Sequence, residues 1–138
     1  MEKLFNTCSL AAAVFGGLCA KVLGGWDILL YALLFLICCD YITGIVKGVC
    51  LKNLSSALGF RGLLKKLTIL VVVAVANVVQ SLLGDTLAIR EIVMMFFIAN
   101  EGLSVLENIA AVGTRIPKPL QNVLLQLREK QEEDTKQK

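Results

Sequence analysis

Long apolar blocks alternate with short polar breaks along the chain, and the blocks have the length of membrane-spanning helices. A spanning helix needs roughly 20 mostly apolar residues. Four segments approach that length: residues 4–23, 26–46, 67–83 and 92–112. The first is rich in small residues and carries Asn6, Thr7 and Lys21. Within it Ala12, Gly16 and Ala20 recur every four residues, which lines them on one helix face where a neighbouring backbone can pack closely. The second opens on Trp26, an amphipathic aromatic suited to the bilayer interface, and holds Asp40 inside its apolar stretch. The third contains the unbroken apolar run 69–76, followed by Asn77, Gln80, Ser81 and Gly84 at helical spacing on a shared polar face. The fourth carries Asn100 and Glu101 near its middle, with Glu107 and Asn108 one to two turns later.

The connections are informative too. Ser55–Lys66 reads either as a short interfacial helix or as a plain basic loop. As a helix, Ser55 or Ser56 would cap it. Leu58, Phe60, Leu63 and Leu64 would then dip into the headgroups while Arg61, Lys65 and Lys66 face anionic lipid. After Pro117 and Pro119 a new helix can begin, because proline suits a first turn. Leu120, Val123, Leu124 and Leu127 give that helix one apolar face, for the membrane surface or a partner subunit. The last eight residues, QEEDTKQK, read as a frayed polar tail. The pattern predicts an all-α, multi-pass transmembrane protein with four spans, or three if the first segment does not cross. Residues 1–114 form the membrane domain, and residues 115–138 a cytoplasmic amphipathic helix and tail.

Composition strengthens this reading. Of 138 residues, 57% are hydrophobic and 18% charged, and the mean hydropathy is +0.74. A soluble domain is nearer half apolar and a quarter charged, and one this small has too little interior to hide the excess. The net charge of +3 is concentrated in residues 47–66 and beyond residue 114. Lys and Arg accumulate on the cytoplasmic side of membrane proteins. Placing both basic regions inside also puts the N-terminus inside and leaves Lys21 and Arg90 outside. Charge gathered in loops argues against a nucleic-acid binder, which carries a basic face on a folded surface. A cleaved signal peptide fits the first segment poorly, because Glu2 beside Lys3 leaves its start nearly neutral and the chain soon re-enters lipid. Histidine is absent, which removes the usual neutral-pH base and the commonest metal ligand. The five cysteines form no C-x-x-C pair and read as small hydrophobes. No cofactor, metal ligand set or catalytic constellation is expected.

Polar residues inside the spans carry the functional signal. A carboxylate at a helix centre costs roughly 2.5–3.5 kcal/mol or more on insertion scales, so such groups face a bundle interior, a partner or water. Asn100, Glu101, Ser104, Glu107 and Asn108 form a polar stripe on the fourth helix, expected to line an oligomer interface or an aqueous path. Asp40, Thr43 and Gly44 form a second set. Lys47 lies two turns from Asp40, too far for a good direct pair, so Asp40 is expected to find a partner such as Asn77 or Gln80.

The segment Asp40-Tyr41-Ile42-Thr43-Gly44, the basic loop with Ser55, Gly59 and Gly62 to Lys66, and the run Asn100 to Asn108 resemble the toxin-secretion/phage-lysis holin family. Gly113, Pro117, Pro119, Leu120 and Leu124 continue the likeness, which covers roughly residues 26–127. The resemblance implies a homo-oligomeric protein of the bacterial cytoplasmic membrane that opens lesions through which endolysin or a toxin escapes, with no direct contact to that cargo implied. Two other readings stand beside it. A small proton-coupled exporter would place its acid in the first helix, which has none between Glu2 and Asp27. A non-pore accessory or antiholin subunit would use the stripe to dock one fixed partner.

Overall fold

The computed structural model describes residues 1–84 and 86–136. Five helices make up the described chain: α1 (Glu2–Val22), α2 (Ile28–Cys50), α3 (Ser56–Leu83), α4 (Ile89–Ala111) and α5 (Lys118–Lys136). The first four are long and apolar enough to cross a membrane. The protein is therefore all-α and multi-pass, with a short C-terminal helix, as the hydropathy pattern predicts.

Local chemistry sets the helix ends. Asp27 caps α2 by accepting a hydrogen bond from the Leu30 N–H at 2.8 Å, satisfying one of the unpaired donors of the first turn. Gly113 closes α4 at φ +90°, and Thr114 N–H returns to the Ile109 carbonyl at 3.3 Å. That left-handed residue turns the chain back, and α5 begins just after Pro117.

The core is a bundle of α2, α3 and α4. Leu30 and Leu33 of α2, Ile69 and Val73 of α3, and Met94 of α4 are buried together, with Ile37 and Phe97 packed against them. The inward positions alternate in steps of three and four: Leu30, Leu33, Ile37 and Asp40 on α2; Lys66, Ile69, Val73 and Ala76 on α3; Met94, Phe97, Glu101 and Ser104 on α4. This is the spacing of a left-handed helical seam. Hydrogen bonds at both ends show that α2 and α4 run parallel and α3 antiparallel to them. Arg90 at the start of α4 meets Asp27 before α2 and Gln80 late in α3. Asn108 near the end of α4 meets Asp40 and Thr43.

Several expectations are corrected here. Ser55–Lys66 is neither a separate interfacial helix nor a loop, because most of it is the first part of the continuous helix α3. The helix that carries the third apolar segment thus begins well before residue 67, and its spanning-length stretch is Gly59–Leu83. In the small-residue ridge of α1, only Ala20 is buried, while Ala12 is exposed and nothing stands within 4 Å of a Cβ placed on Gly16. α1 touches the bundle near its C-terminal end, where the Asn77 amide donates to the Val22 carbonyl at 3.0 Å. The expected frayed tail is helical as far as Lys136. Expectations for the side chains of Leu58, Arg128, Lys130, Lys136 and Lys138 lie outside the described residues.

Candidate functional site

Each helix seam is apolar in one half and polar in the other, and the polar halves meet. Asp40 lies in the second half of α2, Glu101 in the second half of α4, and Lys66 in the first part of α3. Because α3 runs antiparallel to the other two, these positions fall at one level. The Lys66 ammonium bonds the Asp40 carboxylate at 2.5 Å and also the Glu101 carboxylate. The three side chains are 12%, 10% and 7% exposed, respectively.

Further polar groups surround the Asp40 side of the cluster. The Asn108 amide donates to Asp40 Oδ1 at 3.0 Å and to Thr43 Oγ1 at 3.3 Å. Lys47 Nζ donates to Asn108 Oδ1 at 3.4 Å. Thr43 Oγ1 turns back to the Cys39 carbonyl at 2.8 Å. Ion pairs this buried hold best when the remaining lone pairs are also satisfied, and Asn108 supplies such a partner to Asp40.

Two clefts flank the cluster. One, of about 350 Å³, lies between α2, the start of α3 and α4, with Asp40, Gly44, Lys47, Lys66, Ser104 and Asn108 in its wall. The other, of about 390 Å³, reaches the opposite side through Lys65, Asn100, Glu101 and Ser104. Asp40, Gly62, Lys66 and Ser104 stand in the walls of both recesses.

The expected site residues divide accordingly. Asp40, Thr43, Glu101 and Asn108 converge, Gly44 lies 3.7 Å (measured from a built Cβ) from the Asn108 amide, and Ser104 lines both clefts. Asn100 reaches only the second cleft, and Glu107 is exposed on the outer face. The stripe on α4 is therefore split rather than continuous. The partner of Asp40 is Lys66 with Asn108, not Asn77 or Gln80, which serve the opposite end of the bundle. Of the expected membrane-surface cations, Arg61 and Lys65 are exposed, but Lys66 is turned into the bundle.

A second ionic knot at the opposite end was not foreseen. Arg90, 3% exposed, donates to the Leu23 carbonyl at 2.5 Å, Asp27 Oδ2 at 2.6 Å and the Gly25 carbonyl at 3.4 Å. Its own N–H donates to Gln80 Oε1 at 2.8 Å. This one residue, through its side chain and its backbone N–H, thus ties the α1–α2 turn and α3 to α4. The guanidinium beside Asp27 is the main cause of that carboxyl being held below its usual value, outside the four spanning-length helices.

Fold and site together define a small multi-pass helical membrane protein whose bundle is held by buried ions rather than by an apolar core alone. Residues 17–129 match the bacteriophage holin family. The chain belongs to that family, as its resemblance in the Asp40 and Glu101 segments indicates. It is 43% identical over 131 residues to a 14.9 kDa protein from the nagH 3′ region of Clostridium perfringens, covering 94% of this chain and 99% of that one. A Listeria monocytogenes protein is 38% identical over 120 residues, with 87% and 86% covered. The probable holin of Bacillus phage phi105 is 37% identical over 78 residues, 56% of this chain and 58% of the phage protein. No solved structure matches the chain.

Proposed function

We propose that this protein self-associates in the bacterial cytoplasmic membrane and permeabilises it, releasing an endolysin or a toxin. The observation that carries this reading is the Asp40–Lys66–Glu101 cluster inside a bundle of membrane-spanning length. Such groups are costly in lipid and mark oligomer interfaces or water paths. In the single chain they satisfy one another, so the monomer can accumulate without leaking. Lateral association exchanges these bonds for contacts between copies and for water, and the two recesses then become one path. Asp40, Thr43, Gly44, Asn100, Glu101, Ser104 and Asn108 line that path or the contacts around it, with Glu107 at its outer edge.

The basic residues Arg61 and Lys65, with the cations after residue 114, support a cytoplasmic α2–α3 connection and cytoplasmic termini in this reading. Residues 1–114 form the membrane domain in this reading.

The test is inducible expression in a bacterium, with membrane potential and viability followed over time. Sudden depolarisation after a delay, with lysis only when an endolysin is co-expressed, is the expected result. Steady growth with an intact potential would reject autonomous permeabilisation.

A further inference from the structure

Lys47 is half-buried near the end of α2, and among the described residues no acid pairs with it. Its ammonium donates to Asn108 Oδ1 at a long 3.4 Å. Taking an ammonium partly out of water is costly unless a negative group comes with it. Lys47 stands in the wall of the recess of about 350 Å³ between α2, the start of α3 and α4. The Tyr41 hydroxyl and the Asn53 amide belong to the same wall, and among the described residues neither makes a side-chain hydrogen bond. One unpaired cation with two unused donors suits an anion. Asp40 is in that wall too, but Lys66 answers its charge, and the Asn108 amide stands between it and Lys47. Glu101, the other acid on Lys66, faces the second recess.

Depth and shape say what kind of anion. Lys47 lies one turn before α2 ends at Cys50, and Gly59, which also lines the recess, begins the spanning-length stretch of α3. The recess therefore opens where both helices leave the hydrocarbon, at the level of lipid headgroups. Leu51 and Leu54 give it an apolar side, held against α2 where the Asn53 N–H returns to the Gly48 carbonyl at 2.9 Å. A Cβ on Gly62 would meet nothing within 4 Å, so the space stays open toward α3. A volume of about 350 Å³ is at the lower end of small-ligand sites. An anion carrying an apolar tail satisfies the cation and the leucines together, whereas a free inorganic anion would leave Leu51 and Leu54 against water.

We propose that this recess is a site for the headgroup of an anionic phospholipid, with Lys47 Nζ on the phosphodiester and Tyr41 and Asn53 donating to its oxygens. The site requires only that the chain lie in a bilayer, and it stands whether or not the protein permeabilises one.

Native mass spectrometry of the full chain, released from detergent micelles with phosphatidylglycerol, phosphatidylcholine or inorganic phosphate added, tests it. One phosphatidylglycerol retained per chain, at least tenfold more tightly than phosphatidylcholine, is the expected result. Lys47→Gln can keep the bond to Asn108 but loses the charge, and Gly62→Leu fills the recess where a Cβ has room. Each is expected to weaken retention at least tenfold with helical circular dichroism unchanged. Arg61→Gln with Lys65→Gln removes two exposed cations outside this recess and is expected to leave retention within twofold. Equal retention of the two lipids, or native retention in either folded variant, would overturn the site. A loss in the Arg61 and Lys65 double variant as large as in Lys47→Gln would mean diffuse surface charge and would overturn it as well. Displacement of the lipid by excess inorganic phosphate would overturn a lipid as the occupant. Should Gly62→Leu fail to fold, the comparison of Lys47→Gln with the double variant still decides.

Discussion

Lys66→Met keeps most of the side chain's length and apolar stem but removes the one charge shared by Asp40 and Glu101. Both carboxylates are about nine-tenths buried, so water cannot replace the ammonium. Breaking a buried ion pair from one side costs about 3–5 kcal/mol. Here a single cation serves two acids, which places the loss toward the upper end. Replacing all three charged groups behaves differently. Whole buried clusters exchanged for neutral groups are often neutral or stabilising, so Lys66→Met with Asp40→Asn and Glu101→Gln should return to within about 1 kcal/mol of the native chain. The assay is denaturant titration of the purified protein in mild-detergent micelles, followed by helical circular dichroism and Trp26 fluorescence. A Lys66→Met protein within about 1 kcal/mol of native, or a triple variant no more stable than the single one, would refute the view that this ammonium holds the bundle together.

Other consequences follow from the same contacts. Glu101→Gln removes one ionic arm of the cluster and should shift the onset of lysis, read as culture density after induction; unchanged onset together with unchanged oligomers on crosslinking would remove Glu101 from the opening step. Gly24→Ala should destabilise by about 1–3 kcal/mol, measured by thermal melting in micelles, because Gly24 sits at φ +91° and a Cβ there would stand 2.6 Å from Asn77 Oδ1 and also press on Arg90. Asp27 gives a pH signature. Its carboxyl is held below the ordinary 3.8, chiefly by the hydrogen bond from Arg90, so its contribution is present above that value and lost as pH falls through the lower folded value. The Asp27 side chain is 40% exposed, which limits the effect to about 1 kcal/mol or less. Asp27→Asn, which keeps the α2 cap, should flatten the stability profile below pH ~4; an unaltered acid limb in melting curves would discount the pair.

Much of the ion cluster was legible along the chain, but not its closure. Asp40 and Glu101 announce themselves because a carboxylate inside an apolar run has no cheap explanation. Lys66 does not, because a lysine beside another lysine at the edge of a span looks like an ordinary surface cation. Its signal was spacing: Lys66, Ile69, Val73 and Ala76 share the face that is buried in α3, whereas Lys65 is off it. Arg90 was hidden the same way. It stands just ahead of the expected fourth span, and its burial depends on carbonyls of the α1–α2 turn that no linear pattern connects to it. Glu107 shows the converse error, since its helical spacing from Asn100 and Ser104 suggested a place in the stripe, whereas its side chain is exposed.

The sequence by itself determined that the chain is helical, that it belongs in a membrane, how many segments can cross, and which family it resembles. Those follow from length and hydropathy, which act residue by residue, and from short motifs. Tertiary structure alone decided which acid meets which base, that Ala12 is exposed and Gly16 has no close neighbour among the described residues, and that α5 folds back onto Gly102. These depend on the rotation and direction of each helix about its neighbours. A hydrophobic pattern constrains which face turns inward, but the pairing of charges across the bundle is settled only when three helices fix their depths against one another.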